Sequence, residues 1–403
     1  MAAPLRAACL WFLEDKALHI NDLLKTATDH QASDVHIKVG SHPVIRVDGH
    51  LHALTQVPRL TPEDTIAMAF SIMNARQKQK FKDHFEIDIA YSVPGLGRFR
   101  CNIFQQRGTV GLVMRVIPIK ILTFQELLLP PVLDQICEEQ RGLILCTGTT
   151  GSGKSTSLAA MIDYINARRT EHVMTIEDPI EFLHRDKKSL VNQREIEVDT
   201  KSFATALRSA LRQDPDVILV GEMRDYETIE TALTAAETGH LVLSTLHTMD
   251  ATETINRVIS VFPPHQQKQI RLQLAAVLKA VISMRLVPRA DGNGRVPAVE
   301  ILRITGLIRE CIEVKEKTKL IREAIAAGAS QYGMQTFDQS IYNLYKKELI
   351  TLEEALRRAT NPDEFKLRIQ GIQSTSDVAQ QEMETAIRGA GDRPGGADSP
   401  FET

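Results

Sequence analysis

Residues 148–155 read Gly-Thr-Thr-Gly-Ser-Gly-Lys-Ser, the full G-x-x-x-x-G-K-[ST] pattern of a phosphate loop. The chemistry of such a loop is anion capture. Gly148, Gly151 and Gly153 lack the Cβ that would block positive-φ turns, so the backbone can wrap closely around a polyphosphate. The loop amides and the N-terminus of a following helix then face the anion. Lys154 can reach the β- and γ-phosphates of a nucleotide, and Ser155 can ligate Mg²⁺. The expected cradle runs through Gly148, Thr149, Thr150, Gly151, Ser152, Gly153, Lys154, Ser155 and Thr156, with ATP and Mg²⁺ as the implied cofactors. An empty Gly/Ser-rich loop would not need its flanks. Here the apolar run Leu143-Ile144-Leu145-Cys146 precedes the pattern and a helical stretch, Thr156 to Ala167, follows it. Strand, glycine turn and helix are the context the motif requires.

Binding alone is not hydrolysis, which needs groups that hold Mg²⁺ and orient a water. Two acidic candidates stand at strand ends. Val217-Ile218-Leu219-Val220 runs into Gly221-Glu222, and Val173-Met174-Thr175-Ile176 runs into Glu177-Asp178-Pro179-Ile180-Glu181. Glu222 reads as a general base or a Mg²⁺ partner, and Glu177 as a second catalytic or Mg²⁺-holding carboxylate, either one acting directly or through water. Pro179 cannot extend a central strand, so these acids leave the sheet at the end that bears the phosphate loop. Ligands bind at that edge in open α/β sheets. The plain alternative for each acid is a solvated loop charge. His247 follows the strand His240–Ser244 and also lies toward the nucleotide, where it can sense the γ-phosphate or serve as a structural histidine. His240, at the other end of that strand, reads as structural.

The elements that must position these groups fall into two regions. Residues 18–117 mix helix and strand periods. Leu18 to Thr28 reads as a helix with Ile20, Leu23, Leu24 and Ala27 on one face. Asp34 to Val39 and Val44 to Val47 read as strands, with Asp48-Gly49 as a hairpin turn. Thr61-Pro62-Glu63-Asp64 starts a second helix, expected to turn Ile66, Ala69, Phe70 and Met73 inward. Ile87–Val93, Gly97–Gln106 and Gly111–Val116 read as three adjacent strands of a small α+β domain. Residues 117–123 read as a linker. Residues 124–370 alternate strands and helices as a parallel α/β sheet does, with strands at Leu143–Cys146, Val173–Ile176, Val217–Val220 and His240–Ser244. Residues 265–360 read as mostly helical, with Gly292-Asn293-Gly294 at a hairpin. The Ser-, Gly- and Pro-rich tail, 371–403, reads as disordered.

Composition narrows the classes. The 403 residues are 43% hydrophobic and 25% charged, an ordinary globular balance. The net charge of −3, from 48 basic and 51 acidic residues, carries no electrostatic footprint for nucleic acid. The five cysteines form no C-x-x-C pair, which fits a reducing compartment better than a disulfide or zinc framework. No apolar stretch approaches the roughly 20 residues of a spanning helix. Met1 to Leu13 reads as a short amphipathic extension or a start-site artefact.

Six segments together resemble the type II/IV secretion ATPase superfamily, and within it the type IV pilus retraction ATPases. They are the phosphate loop, Thr-Ile-Glu-Asp-Pro-Ile-Glu-Phe (175–182), Val-Asn-Gln-Arg-Glu (191–195), Ala-Leu-Arg-Ser-Ala-Leu-Arg-Gln-Asp-Pro-Asp (206–216), Val-Gly-Glu-Met-Arg-Asp (220–225) and Ala-Ala-Glu-Thr-Gly-His (235–240). Ala-Ser-Asp-Val-His (32–36) and Arg-Val-Asp-Gly (46–49) match the N-terminal domain. The resemblance covers about residues 18–370. It implies a PAS-like N-terminal domain, a RecA-like ATPase domain and a homohexameric ring. It further implies an inner-membrane pilus platform protein as partner, a paralogous retraction ATPase as a possible second one, and a place at the cytoplasmic face of the inner membrane. It implies that Arg100 and Arg115 are donated toward the γ-phosphate; on the residues alone, a surface salt bridge is the alternative. Thr305-Gly306-Leu307-Ile308-Arg309-Glu310 keeps only the last four residues of a motif that retraction ATPases often carry. An accessory retraction ATPase, an extension or secretion ATPase, a nucleotide switch with negligible turnover and a RecA-like nucleic-acid motor are the other readings. The chain lacks the four-cysteine insertion of the extension and secretion members.

Overall fold

Two sheets, one antiparallel and one mainly parallel, organise the computed structural model, which describes residues 18–47, 49–118 and 120–370. The chain divides into two units, one holding residues up to Lys120 with Glu181–Leu183, the other holding Ile121–Ile180 and the chain from His184 onward. Asp48, Ile119, the segment 1–17 and the tail 371–403 lie outside the described residues.

The first unit contains α1 (Ile20–Asp29), β1 (Asp34–Ile37), β2 (Val44–Val47), β3 (His50–Ala53), α2 (Pro62–Ile72), α3 (Ala75–His84), β4 (Glu86–Val93), β5 (Gly97–Gln106) and β6 (Thr109–Ile117). The strands form one antiparallel sheet in the order β3-β2-β1-β6-β5-β4. Period-two alternation gives it an apolar face, with Val35, Phe99, Cys101, Leu112 and Met114 in the core beside Leu23 and Leu24 of α1. The other face carries charge. Arg46 pairs across with Asp34, Asp34 with Arg115, and Arg115 with Arg100, in a single row over four strands.

Thr61 caps α2 as expected: its hydroxyl accepts from the Asp64 N–H at 3.2 Å, and the Asp64 carboxylate accepts from the Thr61 N–H at 2.8 Å. The inward face differs from the expected one. Ile66 is exposed and Phe70 only partly buried, whereas Thr65, Met68, Ala69 and Ile72 are buried. Thr65 can turn inward because its hydroxyl donates to the Pro62 carbonyl at 3.1 Å. A locally satisfied hydroxyl carries little burial cost, so the face rotates by one residue.

The second unit contains α4 (Val132–Cys137), β7 (Gly142–Thr147), α5 (Lys154–Arg168), β8 (His172–Glu177), β9 (Leu190–Glu195), α6 (Phe203–Ala210), β10 (Val217–Val220), α7 (Tyr226–Glu237), β11 (Leu241–Leu246), α8 (Ala251–Ser260), α9 (Gln267–Val277), β12 (Leu278–Pro288) and β13 (Arg295–Arg303). Helices follow from Gly306–Glu313 to Pro362–Ile369. The sheet order is β13-β12-β7-β11-β10-β8-β9. Every pair is parallel except β12 with β13. β7, β10 and β11 are buried at every position, as a sheet covered on both faces requires. Three strands in this unit go beyond those named from the sequence. β12 and β13 form a long antiparallel hairpin about the expected Gly292-Asn293-Gly294 turn, and they take up more of the stretch read as mostly helical than that turn alone implied; β9 is a strand the sequence reading does not name.

Candidate nucleotide site

β7 delivers the chain to the phosphate loop at the carboxyl edge of the sheet, and α5 leaves it. Gly148 has φ +139, and a Cβ there would meet the Met284 carbonyl oxygen at 2.4 Å and Ser152 Oγ at 2.6 Å. No side chain fits, so the backbone can close into a cradle at this point. Gly151 and Gly153 also have positive φ, and Gly153 caps α5, a helix of 15 residues. Lys154 is buried, and its ammonium donates to the carbonyls of Gly148 at 2.8 Å and Thr149 at 3.0 Å. A side chain held over the loop in this way, with helix amides at its base, matches the donors that a polyphosphate needs. Ser155 and Thr156 occupy the first turn of α5. The residues present fit a nucleotide.

The strand order brings the expected carboxylates and histidine to the same edge. β7, β11, β10 and β8 are consecutive neighbours, so Gly148, His247, Glu222 and Glu177 each stand at or just beyond the end of adjacent parallel strands. Gly221 makes this packing possible. Its N–H donates to the Ile176 carbonyl at 2.8 Å, and a Cβ would sit 3.3 Å from Glu177 Cα. Thr245 Oγ1 donates to the Gly221 carbonyl at 2.6 Å and the Met223 N–H to the Thr245 carbonyl at 3.2 Å, which ties the Glu222 turn to β11.

Glu222 and His247 meet directly. His247 Nε2 lies 3.1 Å from Glu222 Oε1, and the Glu222 side chain is mostly buried. The Nε2 proton must face the carboxylate for this contact to be a hydrogen bond. Arg224 also donates to Glu222 Oε1, and burial-independent attraction to that carboxylate, first through the hydrogen bond, raises the guanidinium's pKa. Glu177 Oε1 accepts from Thr175 Oγ1 at 2.6 Å and from Gln193 Nε2 at 3.1 Å. Glu195, buried on β9, accepts from the Ile180 N–H at 3.2 Å and so supports the turn after Glu177. His240 is occupied structurally, with Nδ1 2.9 Å from the Ala235 carbonyl.

Arg100 and Arg115 belong to the first unit, where they face one another across β5 and β6. Arg115 Nε lies 3.0 Å from Asp34 Oδ1 and Arg100 Nε 3.9 Å from Asp88 Oδ1. Both guanidinium groups remain substantially exposed. Reading the sequence singled out neither Arg224, Thr175 nor Gln193. Arg224 and Gln193 lie inside quoted motifs, but only the fold shows which carboxylate each one serves.

A phosphate loop on the carboxyl edge of a mainly parallel sheet, with two strand-end carboxylates beside it, defines a P-loop ATPase. The chain belongs to the family described as type II/IV secretion system protein, whose model matches residues 14–361. It is 48% identical over 348 residues to the type IV pilus retractation ATPase PilT of Pseudomonas aeruginosa, covering 86% of this chain and 100% of that one. It is 41% identical over 361 residues to the type IV pilus ATPase PilU of the same organism, covering 89% and 94%. A crystal structure of the pilus retraction motor PilT with bound ADP superposes with a TM-score of 0.80 at 48% identity, covering 86% of this chain and 98% of that one. The fold class is therefore a RecA-like ATPase unit preceded by a small PAS-like α+β unit. Among the described residues, no helix is long and apolar enough to cross a membrane.

Proposed function

We propose that this chain is a hexameric, Mg²⁺-dependent ATPase motor that powers type IV pilus retraction. It would act at the cytoplasmic face of the inner membrane, against a platform protein there. The observation that carries this reading is the convergence of Glu177, Glu222 and His247 beside a complete phosphate loop. The chain that makes it is 48% identical to a named pilus retraction ATPase over that protein's full length. Residues 18–117 would act as the PAS-like domain and 124–370 as the ATPase domain.

In this reading the loop from Gly148 to Thr156 holds the polyphosphate, and Ser155 holds Mg²⁺ with Glu177 and Glu222, directly or through water. Bound Mg·ATP supplies the phosphoryl group that is lost to water. Glu222 orients the attacking water and takes its proton. His247, bonded to Glu222 Oε1, fixes that carboxylate and couples its state to movement of the loop that follows β11. Arg100 and Arg115 complete the site of a neighbouring subunit, which makes hydrolysis depend on the ring.

An accessory retraction ATPase is the second reading. The 41% identity to PilU and the partial motif at Thr305–Glu310 favour it. Deleting the gene and counting surface pili tests both. Accumulated pili with loss of retraction support the principal motor. Loss of pili would refute retraction in favour of extension, and unchanged pilus number with retraction failing only under load would favour the accessory.

A further inference from the structure

The charged face of the first unit's sheet sets two arginines against each other. Arg100 and Arg115 are register partners on β5 and β6. Side chains directly opposite in an antiparallel pair start only about 5 Å apart at their Cβ atoms, where like charges repel. A third arginine, Arg46, stands two strands from Arg115 in the same row, with Asp34 of β1 between them.

Asp34 is fixed by its place in the sheet. It is only 6% exposed, because β1 is an internal strand flanked by β2 and β6. Its two oxygens serve different partners. Oδ2 accepts from Ser33 Oγ at 2.8 Å and lies 3.8 Å from Arg46 Nε. Oδ1 accepts from Arg115 Nε at 3.0 Å. Ser33 is pinned in turn from both sides: its N–H donates to the Arg46 carbonyl at 2.8 Å, and its carbonyl accepts from the Val116 N–H at 3.0 Å. A charge-assisted bond from an acceptor held this way fixes the direction of a long, flexible side chain. Arg100 has a weaker hold, since its Nε lies 3.9 Å from Asp88 Oδ1 and both of those side chains are about half exposed.

The bond to Asp34 uses Nε, one of the five N–H donors of the Arg115 guanidinium. The side chain is still 69% exposed, so the fork of Nη donors that suits phosphate oxygens stays open to an anion. Without the carboxylate, the torsions of Arg115 would be released and nothing at Asp34 would offset the charges of Arg46, Arg115 and Arg100. We propose that Asp34 is the positioning residue for Arg115, holding its guanidinium beside Arg100 with the fork preset for phosphate. The proposal rests on the reading that Arg115 serves the nucleotide of a neighbouring subunit.

Asp34→Ala in the full-length chain tests it. Misplacing a phosphate-binding group by about 1 Å can cost on the order of 10²-fold in rate. Asp34→Ala should therefore lower kcat by roughly 10- to 100-fold, while KM for Mg·ATP changes by less than about threefold, because the phosphate loop is untouched. Asp34→Asn keeps an oxygen for the Arg115 Nε–H and should lose less. The decisive readout is the coupling to Arg115, measured by single-turnover hydrolysis so that slow variants stay readable. In an Arg115→Ala background, Asp34→Ala should change the rate by less than about twofold, since its effect passes through a side chain already gone. If circular dichroism shows that Asp34→Ala does not fold, Asp34→Asn carries the same cycle. Wild-type kcat in the folded variants overturns the proposal. So does an equal loss with and without Arg115, because a general weakening of the sheet would multiply with the loss of the arginine. Wild-type turnover in Arg115→Ala alone would overturn the reading of Arg115 itself. A slowed Arg115→Ala beside independent Asp34 effects would overturn only the positioning role.

Discussion

Replacing Glu300 by Gln should make the protein more stable at neutral and alkaline pH, and the size of the effect follows from where Glu300 sits. It lies on β13 opposite Ser283 of β12, and is almost fully buried. Its pKa is pushed up from 4.5 to about 7, chiefly by burial; the Ala251 N–H, which it accepts at 2.9 Å, opposes the rise, as do Arg285 and Arg322, while Asp250 adds to it. A raised carboxyl pKa means that the native state holds a proton the unfolded chain has released. Stability then falls as pH rises from about 4.5 to about 7 and levels off above that. The shift of 7 − 4.5 = 2.5 units, at about 1.36 kcal/mol per unit, amounts to about 3 kcal/mol. Glutamine has the same shape, never ionises, and keeps an oxygen for the Ala251 N–H. Urea unfolding of the nucleotide-free protein, followed by circular dichroism at pH 5 and pH 8, measures the difference between the two proteins, in which the titrations they share cancel. Glu300→Gln should gain most of that 3 kcal/mol on the wild type between the two pH values. A difference that stays constant with pH would refute the argument. A variant less stable than wild type at pH 8 would show that the ionised group, capping α8 beside two arginines, outweighs its burial.

Glu222→Gln should bind ATP normally and lose on the order of 10²–10⁴ in turnover, because it removes the carboxylate proposed to orient water; unchanged turnover in the purified variant sinks that role. His247→Ala should lower kcat more than it raises KM, since Nε2 touches Glu222 at 3.1 Å and lies in no phosphate cradle; a pure KM effect would place it in binding instead. Gly148→Ala should abolish nucleotide binding, as its Cβ would lie 2.4 Å from the Met284 carbonyl oxygen at a φ of +139; wild-type affinity in a fluorescent-analogue titration would contradict the cradle. Arg100→Ala and Glu222→Gln proteins, each inactive alone, should regain activity when mixed, because some interfaces would pair an intact arginine with an intact carboxylate. No recovery despite measured subunit exchange would place both groups in one chain's site.

Several parts of the fold were legible because their signals are local. The caps at Thr61 and the apolar runs of β7, β10 and β11 depend on residues close in sequence, and each became the element it spelled. Strand β9 was not legible, and β12 only as one arm of a hairpin at Gly292-Asn293-Gly294 with its extent hidden, for two different reasons. β9, Leu190–Glu195, lies at the sheet edge and is exposed or only partly buried up to Arg194, so its polar composition hides it. β12 follows α9 without a break, and a buried apolar run of this kind fits a helix and a strand equally well by pattern alone. The face of α2 was misread at Ile66 and Phe70 because hydrophobicity ignored a threonine that could satisfy its own hydroxyl at Pro62.

The sequence by itself determined the phosphate loop, since eight contiguous residues and their flanks specify backbone shape, donors and a lysine without help from the rest of the chain. It also named Glu177, Glu222 and His247 as strand-end groups. Tertiary structure decided what each of them touches. The sheet runs β7-β11-β10-β8-β9, an order that the chain reaches only through crossovers, so neighbours in space are distant in sequence. His247 meets Glu222 because β11 lies beside β10, and Gln193 meets Glu177 because β9 lies beside β8. Arg115 meets Asp34 across β6 and β1, 81 residues apart. Such pairings follow from strand order and register, which are set by the burial of whole sheets and cannot be read from any one strand.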